Sequence, residues 1–250
     1  MTQADLISPA RFLARLPQHL PRLGRMLRGL YYAGIRNRDK TLSLAWALER
    51  ATRLYPDNPA LMDEQRRLSY RQFNAWANRL AWAFKADGVD HGAVVAVLVE
   101  NRLELLAVLA ALTKLGAIGA LLNTTQRGKV LSHSLNLVKP RFFVIGEELV
   151  DAFNEVRHQV PGAEHPCYWL TDRDTLQDSG HTPDGWVNLG LRQASQSEQN
   201  LPDSLRVRMK DPCFYIYTSG TTGLPKASIM SHGKWIKAYG GFGHSGLGLG

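Results

Sequence analysis

Ten consecutive residues, Tyr217-Thr218-Ser219-Gly220-Thr221-Thr222-Gly223-Leu224-Pro225-Lys226, bring together four aliphatic hydroxyls, two glycines and a lysine. Glycines let successive backbone N–H groups point into one concavity, which is how a loop holds an anion. Hydroxyls add donors that rotate to suit, and an ammonium adds a compact positive charge. This pattern predicts a polyphosphate-binding loop. A Walker A loop is excluded, because that pattern needs a Gly-Lys-Ser/Thr triplet, whereas Pro225 precedes Lys226 and Ala227 follows it. The apolar run Phe214 to Tyr217 reads as a buried strand and Ala227 to Met230 as a second short one, so strand–loop–strand is the expected local fold. The plainer alternative is a hairpin turn, and turns rarely carry four hydroxyls and a lysine so densely.

Other candidate chemistry is sparse. His232 follows the loop by six residues, within reach of a bound phosphate. His91, His133, His158, His165, His181 and His244 have no metal-ligand spacing, and structural or surface roles are expected for them. Ser219 lacks the preceding glycine of a Gly-x-Ser-x-Gly elbow, which argues against a hydrolase nucleophile. Cys167 and Cys213 give neither a ligand cluster nor a disulfide framework, so a reducing compartment is the default.

With 250 residues, 44% of them hydrophobic and 21% charged, the chain suits one large globular domain or two small ones. Its net charge of +8 is uneven. Residues 1–40 hold eight basic groups (Arg11, Arg15, Arg22, Arg25, Arg28, Arg36, Arg38, Lys40) against Asp5 and Asp39, so +6 lies in this arm and +2 in the rest. Such an arm on a near-neutral body points to an anionic surface, not to nucleic acid gripped by the body. Within it, residues 22–35 read as an amphipathic helix with Leu23, Met26, Leu27, Leu30 and Tyr31 at i, i+3, i+4, i+7 and i+8. Two readings stand evenly: a helix in the interface of an anionic membrane, or one docked on the protein's own body. No signal peptide is visible. The run Leu103 to Leu122 contains Glu104 and Lys114 and divides into a helix and a strand, so no transmembrane span is expected. The expected location is cytoplasmic, peripheral on the inner face of a membrane.

The elements that must position the loop follow in order. Leu44 to Leu54 is a helix, and Ala60 to Leu68 a hairpin turning at Asp63-Glu64. Ser69 caps the next helix with Gln72 in the capping-box position. Its apolar stripe is Phe73, Trp76, Ala77, Leu80, Ala81 and Phe84, and Gly88 ends it. Strands are expected at Ala93 to Val99, Ile118 to Leu122, Arg141 to Ile145 and Cys167 to Leu170. Helices are expected at Leu103 to Leu115, Lys129 to Leu137 and Glu147 to His158. This alternation predicts an α/β fold, a mostly parallel sheet with flanking helices. Residues 172–211, polar and aperiodic, read as a long excursion at the surface.

These residues resemble the adenylate-forming superfamily, which holds acyl-CoA synthetases, luciferases and peptide-synthetase adenylation domains. Tyr217–Lys226 is close to letter-perfect for its phosphate-loop signature. Leu68-Ser69-Tyr70-Arg71 with Asn78-Arg79-Leu80-Ala81 is similar to its early helix, Val94–Val99 with Glu100-Asn101 to its first core strand, and Lys114-Leu115-Gly116-Ala117 with Leu122-Asn123 to the following helix and strand. Gly119-Ala120-Leu121-Leu122-Asn123, Leu131-Ser132-His133-Ser134-Leu135 and Phe214-Tyr215-Ile216-Tyr217 look most like the fatty-acid transport protein and very-long-chain acyl-CoA synthetase branch. The resemblance spans roughly residues 45–240. It departs from the pattern at Gly92-Ala93, where a Gly-Asp pair is usual, and in length, since the family needs more than twice this chain. The sequence therefore reads as an N-terminal fragment. Residues 1–42 form the basic segment. Residues 43–250 form the first portion of the AMP-binding domain, truncated before the acyl pocket and the C-terminal domain.

The resemblance implies ATP-dependent activation of a long-chain or very-long-chain fatty acid to acyl-AMP and then, with coenzyme A, to the thioester, coupled to fatty-acid uptake. It implies that Thr218, Ser219, Gly220, Thr221, Thr222, Gly223 and Lys226 hold the β- and γ-phosphates, that Lys226 and Thr221 serve catalysis, and that Thr221 touches Mg2+. Two alternatives stay open: a ligase for another carboxylate (aryl, short-chain or carnitine-like), and a non-catalytic, membrane-associated lipid-uptake protein. No nucleic-acid partner is expected, and the fragment alone is expected to be inactive.

Overall fold

A computed structural model describes residues 23–165, 167–171, 182–218 and 224–247. The chain divides into two compact units, residues 39–233 and residues 1–38 with 234–250.

The larger unit is built on a seven-stranded sheet ordered β7-β6-β5-β3-β4-β8-β9. Its strands are β3 (Val94–Leu98), β4 (Ile118–Leu121), β5 (Phe142–Gly146), β6 (Cys167–Leu170), β7 (Val187–Asn188), β8 (Pro212–Thr218) and β9 (Lys226–Ser231). All neighbours are parallel except β8 and β9. The alternation of strands with helices thus yields the expected α/β fold. Consecutive strand residues point to opposite faces, and the sequence supplies an apolar residue for both. Val95 and Val97, Phe142 and Val144, and Tyr168 and Leu170 enter one core, while Ala96 and Leu98, Phe143 and Ile145, and Cys167 enter the other.

The first core is covered by α3 (Tyr70–Ala86), α4 (Leu103–Leu115) and α7 (Leu189–Ala194), the second by α5 (Gly128–Val138) and α6 (Val150–Arg157). Helix α2 (Leu44–Leu54) packs on α3 and α4, and a two-stranded antiparallel hairpin, β1 (Pro59–Met62) and β2 (Arg67–Ser69), precedes α3. The turn forms because the Asp63 carboxylate accepts hydrogen bonds from the backbone N–H groups of Gln65 and Arg66 at 2.9 and 2.6 Å. Helix α3 begins in a complete capping box. Ser69 Oγ accepts from Gln72 N–H and Gln72 Oε1 from Ser69 N–H, an arrangement worth about 1 kcal/mol. Gly116 closes α4 at φ +69°, where a side chain would be strained. Glu147 to His158, expected as one helix, is a short 3-10 turn, Glu147–Leu149, followed by α6.

One expectation needs correction. Residues 182–211 do not lie loosely at the surface. Leu189, Leu201, Val207 and Met209 are buried. Polar side chains fasten this stretch along α3: Arg192 pairs with Asp87 at 2.5 Å, Lys85 with Asp203 and Arg79 with Glu198, and Trp82 Nε1 donates to the Gln199 carbonyl at 2.9 Å. Beneath them, Asn200 Oδ1 accepts from Asn74 Nδ2 (2.9 Å), Asn78 Nδ2 (3.0 Å) and the fully buried Lys114 ammonium (3.2 Å), which also pairs with Glu49 at 2.8 Å. These bonds join residues far apart in sequence, so no local periodicity announces them. Residues 172–181 of the same stretch lie outside the described residues.

The smaller unit contains α1 (residues 23–34) and the continuation of α8 (His232–Ala238) into a π-helical segment, Tyr239–Leu247. A Cβ on Gly240 would lie 2.9 Å from the Gly29 carbonyl and 2.4 Å from Tyr32 Cβ, so only glycine fits this approach. The helix presents its small face, Gly29 and Ala33, to that segment. Leu23, Met26, Leu27, Leu30 and Tyr31 are left exposed, with Leu30 at 61%. Residues 1–38 and 234–250 hold nine Lys and Arg against one acid, Asp5, a surplus equal to the net charge of the whole chain.

Candidate functional site

Strand β8 runs beside β4 and continues into the expected phosphate loop, and β9 returns antiparallel to it. Thr218 and Lys226 are partners in the last register of that ladder. The sequence has no Gly-Lys-Ser/Thr run to start a helix there, and the described flanks of the expected loop are two strands, β8 and β9. Thr218 and Lys226 are both exposed at the mouth. Ser219, Gly220, Thr221, Thr222 and Gly223, the remaining expected phosphate ligands, lie outside the described residues.

Helix α5 supports both feet of the loop from two consecutive residues. The hydroxyl of Tyr217, one residue before Thr218, donates to the Ser134 carbonyl at 2.8 Å. The Nε2 of His133 lies 3.2 Å from the carbonyl of Pro225, one residue before Lys226. Burial, with Tyr215 adding, pushes the Tyr217 phenol up from its ordinary value, so it remains a donor. His133 was expected to be structural or at the surface, and its contact with the loop is a feature that spacing along the chain could not reveal. Between α5 and the hairpin lies a cleft of about 550 Å3, lined mainly by Leu137, Val138, Tyr215, Leu224, Pro225 and Ile229.

His232 does not approach the loop, contrary to expectation. Its side chain is fully buried, and Nδ1 accepts the Leu44 N–H at 3.2 Å, satisfying a donor at the start of α2. Desolvation lowers its pKa to about 4, against a raising influence of Asp211 and a further lowering by His91. The neutral ring therefore carries its proton on Nε2. His91 itself lies 3.1 Å from Asp211.

A second cleft, about 370 Å3, opens between α3 and α7 and is lined by Arg66, Arg71 and Arg79. It is poorly suited to phosphate, because each guanidinium already has a carboxylate: Glu104 and Asp63 for Arg66, Asp57 for Arg71, Glu198 for Arg79. No group of three or more His, Cys, Asp or Glu side chains that could hold a metal occurs among the described residues.

Compared with known protein families, residues 48–247 match the AMP-binding enzyme family. The chain belongs to that family. Among AMP-binding relatives, it is 34% identical over 238 residues to a medium/long-chain-fatty-acid–CoA ligase of Mycobacterium tuberculosis, covering 94% of this chain and 37% of the relative. It is 32% identical over 189 residues to long-chain fatty acid transport protein 6 of Mus musculus, covering 74% and 29%. It is 32% identical over 199 residues to an indoleacetate–CoA ligase of Aromatoleum aromaticum, covering 77% and 35%. The chain thus spans about a third of the length of these relatives. Among solved structures, an anthranilate CoA ligase in complex with anthranoyl-AMP superposes with a TM-score of 0.68 at 25% identity, over 77% of this chain and 35% of that one. The fold is therefore that of the N-terminal part of an adenylate-forming ligase.

Proposed function

We propose that the protein carrying this chain is an acid–thiol ligase, which activates a long-chain or very-long-chain fatty acid to acyl-AMP and transfers the acyl group to coenzyme A, coupled to fatty-acid uptake. The observation that carries this reading is the pairing of Thr218 with Lys226 at the mouth of a hydroxyl- and glycine-rich loop in an AMP-binding chain. The fatty-acid assignment draws on the relatives named as fatty-acid–CoA ligase and fatty acid transport protein.

The carboxylate attacks the α-phosphate of ATP and pyrophosphate leaves. The difficult part is to align two anions while negative charge moves onto pyrophosphate. Thr218, Ser219, Gly220, Thr221, Thr222 and Gly223 donate hydrogen bonds to the β- and γ-phosphates, and Lys226 places a cation against the leaving charge. Thr221 would hold a Mg2+ ion, which would supply Lewis-acid neutralisation of the phosphate charge. The thiol of coenzyme A then displaces AMP. Residues 1–42 form a basic segment and residues 43–250 the first portion of the AMP-binding domain, so the chain of residues 1–250 by itself forms no acyl-CoA.

We also place the protein in the cytoplasm, peripheral on the inner face of a membrane. The exposed apolar residues of α1, beside Arg25 and Arg28, support an interfacial seat on anionic lipid. Among the described residues no helix is long and apolar enough to cross a membrane. A second reading, an aryl acid as substrate, has the similarity to the indoleacetate–CoA ligase behind it. The deciding experiment is ATP–pyrophosphate exchange by the full-length protein with palmitate, a very-long-chain acid, indoleacetate and no acid. Exchange stimulated most by the long chains supports the proposal. Stimulation by the aryl acid alone replaces the substrate, and no exchange with any acid overturns the ligase reading.

A further inference from the structure

We propose that His133 is a positioning residue for the phosphate-binding lysine: it holds the peptide bond from which Lys226 departs. The inference rests on the ligase reading. The Pro225 carbonyl that faces His133 Nε2 at 3.2 Å belongs to the same planar peptide unit as the Lys226 nitrogen. Fixing that carbonyl fixes the plane, and with it the direction in which the Lys226 side chain leaves the strand. Proline makes the hold more effective, since its ring sets φ at Pro225 and leaves fewer ways for the foot of the loop to turn. Pro225 also has no N–H of its own, so its carbonyl is the only backbone group through which a neighbour can grip it.

The opposite foot is held in the same way. Tyr217, whose hydroxyl donates to the Ser134 carbonyl, stands next to Thr218. Ser134 follows His133 on α5, so one turn of one helix fixes the chain before Thr218 and before Lys226. Both residues are exposed partners in the last register of the ladder, where strand pairing alone leaves the ends free to fray. The ladder sets the distance between the two feet, and α5 sets their orientation. Feet held in advance at Thr218 and Lys226 leave less to be ordered when triphosphate binds there, which is where preorganisation lowers the cost of binding. His133 touches neither phosphate nor carboxylate in this arrangement and acts only through Lys226.

The test uses steady-state kinetics of the full-length protein with His133→Ala, His133→Gln and Tyr217→Phe, alongside melting temperatures. A glutamine amide can donate to the Pro225 carbonyl, so His133→Gln tests the hydrogen bond and not the ring. The expected result is a KM for ATP raised about 3- to 10-fold in His133→Ala, the loss of one hydrogen bond. KM for fatty acid and coenzyme A stay unchanged, and His133→Gln returns to within about 2-fold of wild type. Tyr217→Phe, which keeps the ring and loses only the bond to Ser134, raises the same constant, and it carries the test if His133→Ala does not fold. Unchanged KM for ATP in His133→Ala and Tyr217→Phe overturns the proposal. So does equal impairment of Ala and Gln variants with equally lowered melting temperatures, which marks a packing role. A wild-type protein with no ATP–pyrophosphate exchange overturns the ligase reading and the positioning role with it. Exchange with an unchanged His133→Ala overturns the positioning role alone.

Discussion

Thr218 and Lys226 face each other across the last rung of the β8–β9 ladder, which brings a hydroxyl and an ammonium to one mouth although seven residues separate them in sequence. Replacing Lys226 by alanine removes the cation and leaves the ladder, because the residue contributes to the rung through its backbone. The full-length Lys226→Ala protein is expected to keep its melting temperature, to raise KM for ATP and to lower the rate of adenylation by about 10- to 100-fold, the loss of one charge-assisted contact. ATP–pyrophosphate exchange measures both constants, and unchanged values would remove Lys226 from the site.

Lys114 ties α4 to Glu49 and to Asn200 with no exposure to water. Lys114→Ala leaves Glu49 without its partner and a cavity beside it. Unfolding in urea should show a loss of about 3–5 kcal/mol. Lys114→Met, which fills the space but not the charge, is expected to lose nearly as much, and Lys114→Met combined with Glu49→Leu to recover part of it.

His232 gives the larger unit a pH dependence of known sign. In the unfolded chain its imidazole takes a proton below about pH 6.5, whereas burial holds the folded group at about 4. Stability is complete above pH 6.5 and falls as pH drops toward 4, by roughly 3 kcal/mol from this group. His232→Asn can still accept the Leu44 N–H and does not titrate. Denaturant midpoints compared between pH 7 and 5 should be flatter in that variant, and an equal slope would assign the dependence to other groups.

The exposed face of α1 predicts binding of the chain to vesicles containing anionic phosphatidylserine in low salt, with weaker binding to neutral phosphatidylcholine. Leu27→Glu with Leu30→Glu removes the apolar contribution. Arg25→Gln with Arg28→Gln removes about 1 kcal/mol for each charge near the surface. Co-sedimentation reads both, and equal sedimentation of all variants would sink the interfacial seat.

Much of the larger unit could be read along the chain because its signals are local. The capping box at Ser69, the closing glycine at Gly116 and the β-branched run at Val94 each act within a few residues, and each element forms where those signals lie. The hairpin beneath the phosphate loop was legible for a negative reason, since Pro225 and Ala227 exclude a helix start at Lys226. What escaped were bonds across long separations. Asn200 collects donors from Asn74, Asn78 and Lys114, residues 126, 122 and 86 positions away, and Pro225 meets His133 from 92 positions away. A polar side chain that will be buried by a distant partner looks, in sequence, like one that faces water. His232 failed in the same sense: proximity along the chain suggested the loop, while the fold sends its ring to the start of α2.

Strand β9 ends the sheet among the described residues, with Ile229 55% exposed on it. The end of a sheet is where self-association starts, and charged side chains placed there work against it. The lysine at the head of β9 then has a colloidal role besides its chemical one, because an exposed ammonium keeps its hydration and resists burial against another molecule. A substitution that silences the loop by neutralising this position also removes a guard against self-association, so loss of activity and loss of solubility would arrive together, from one side chain.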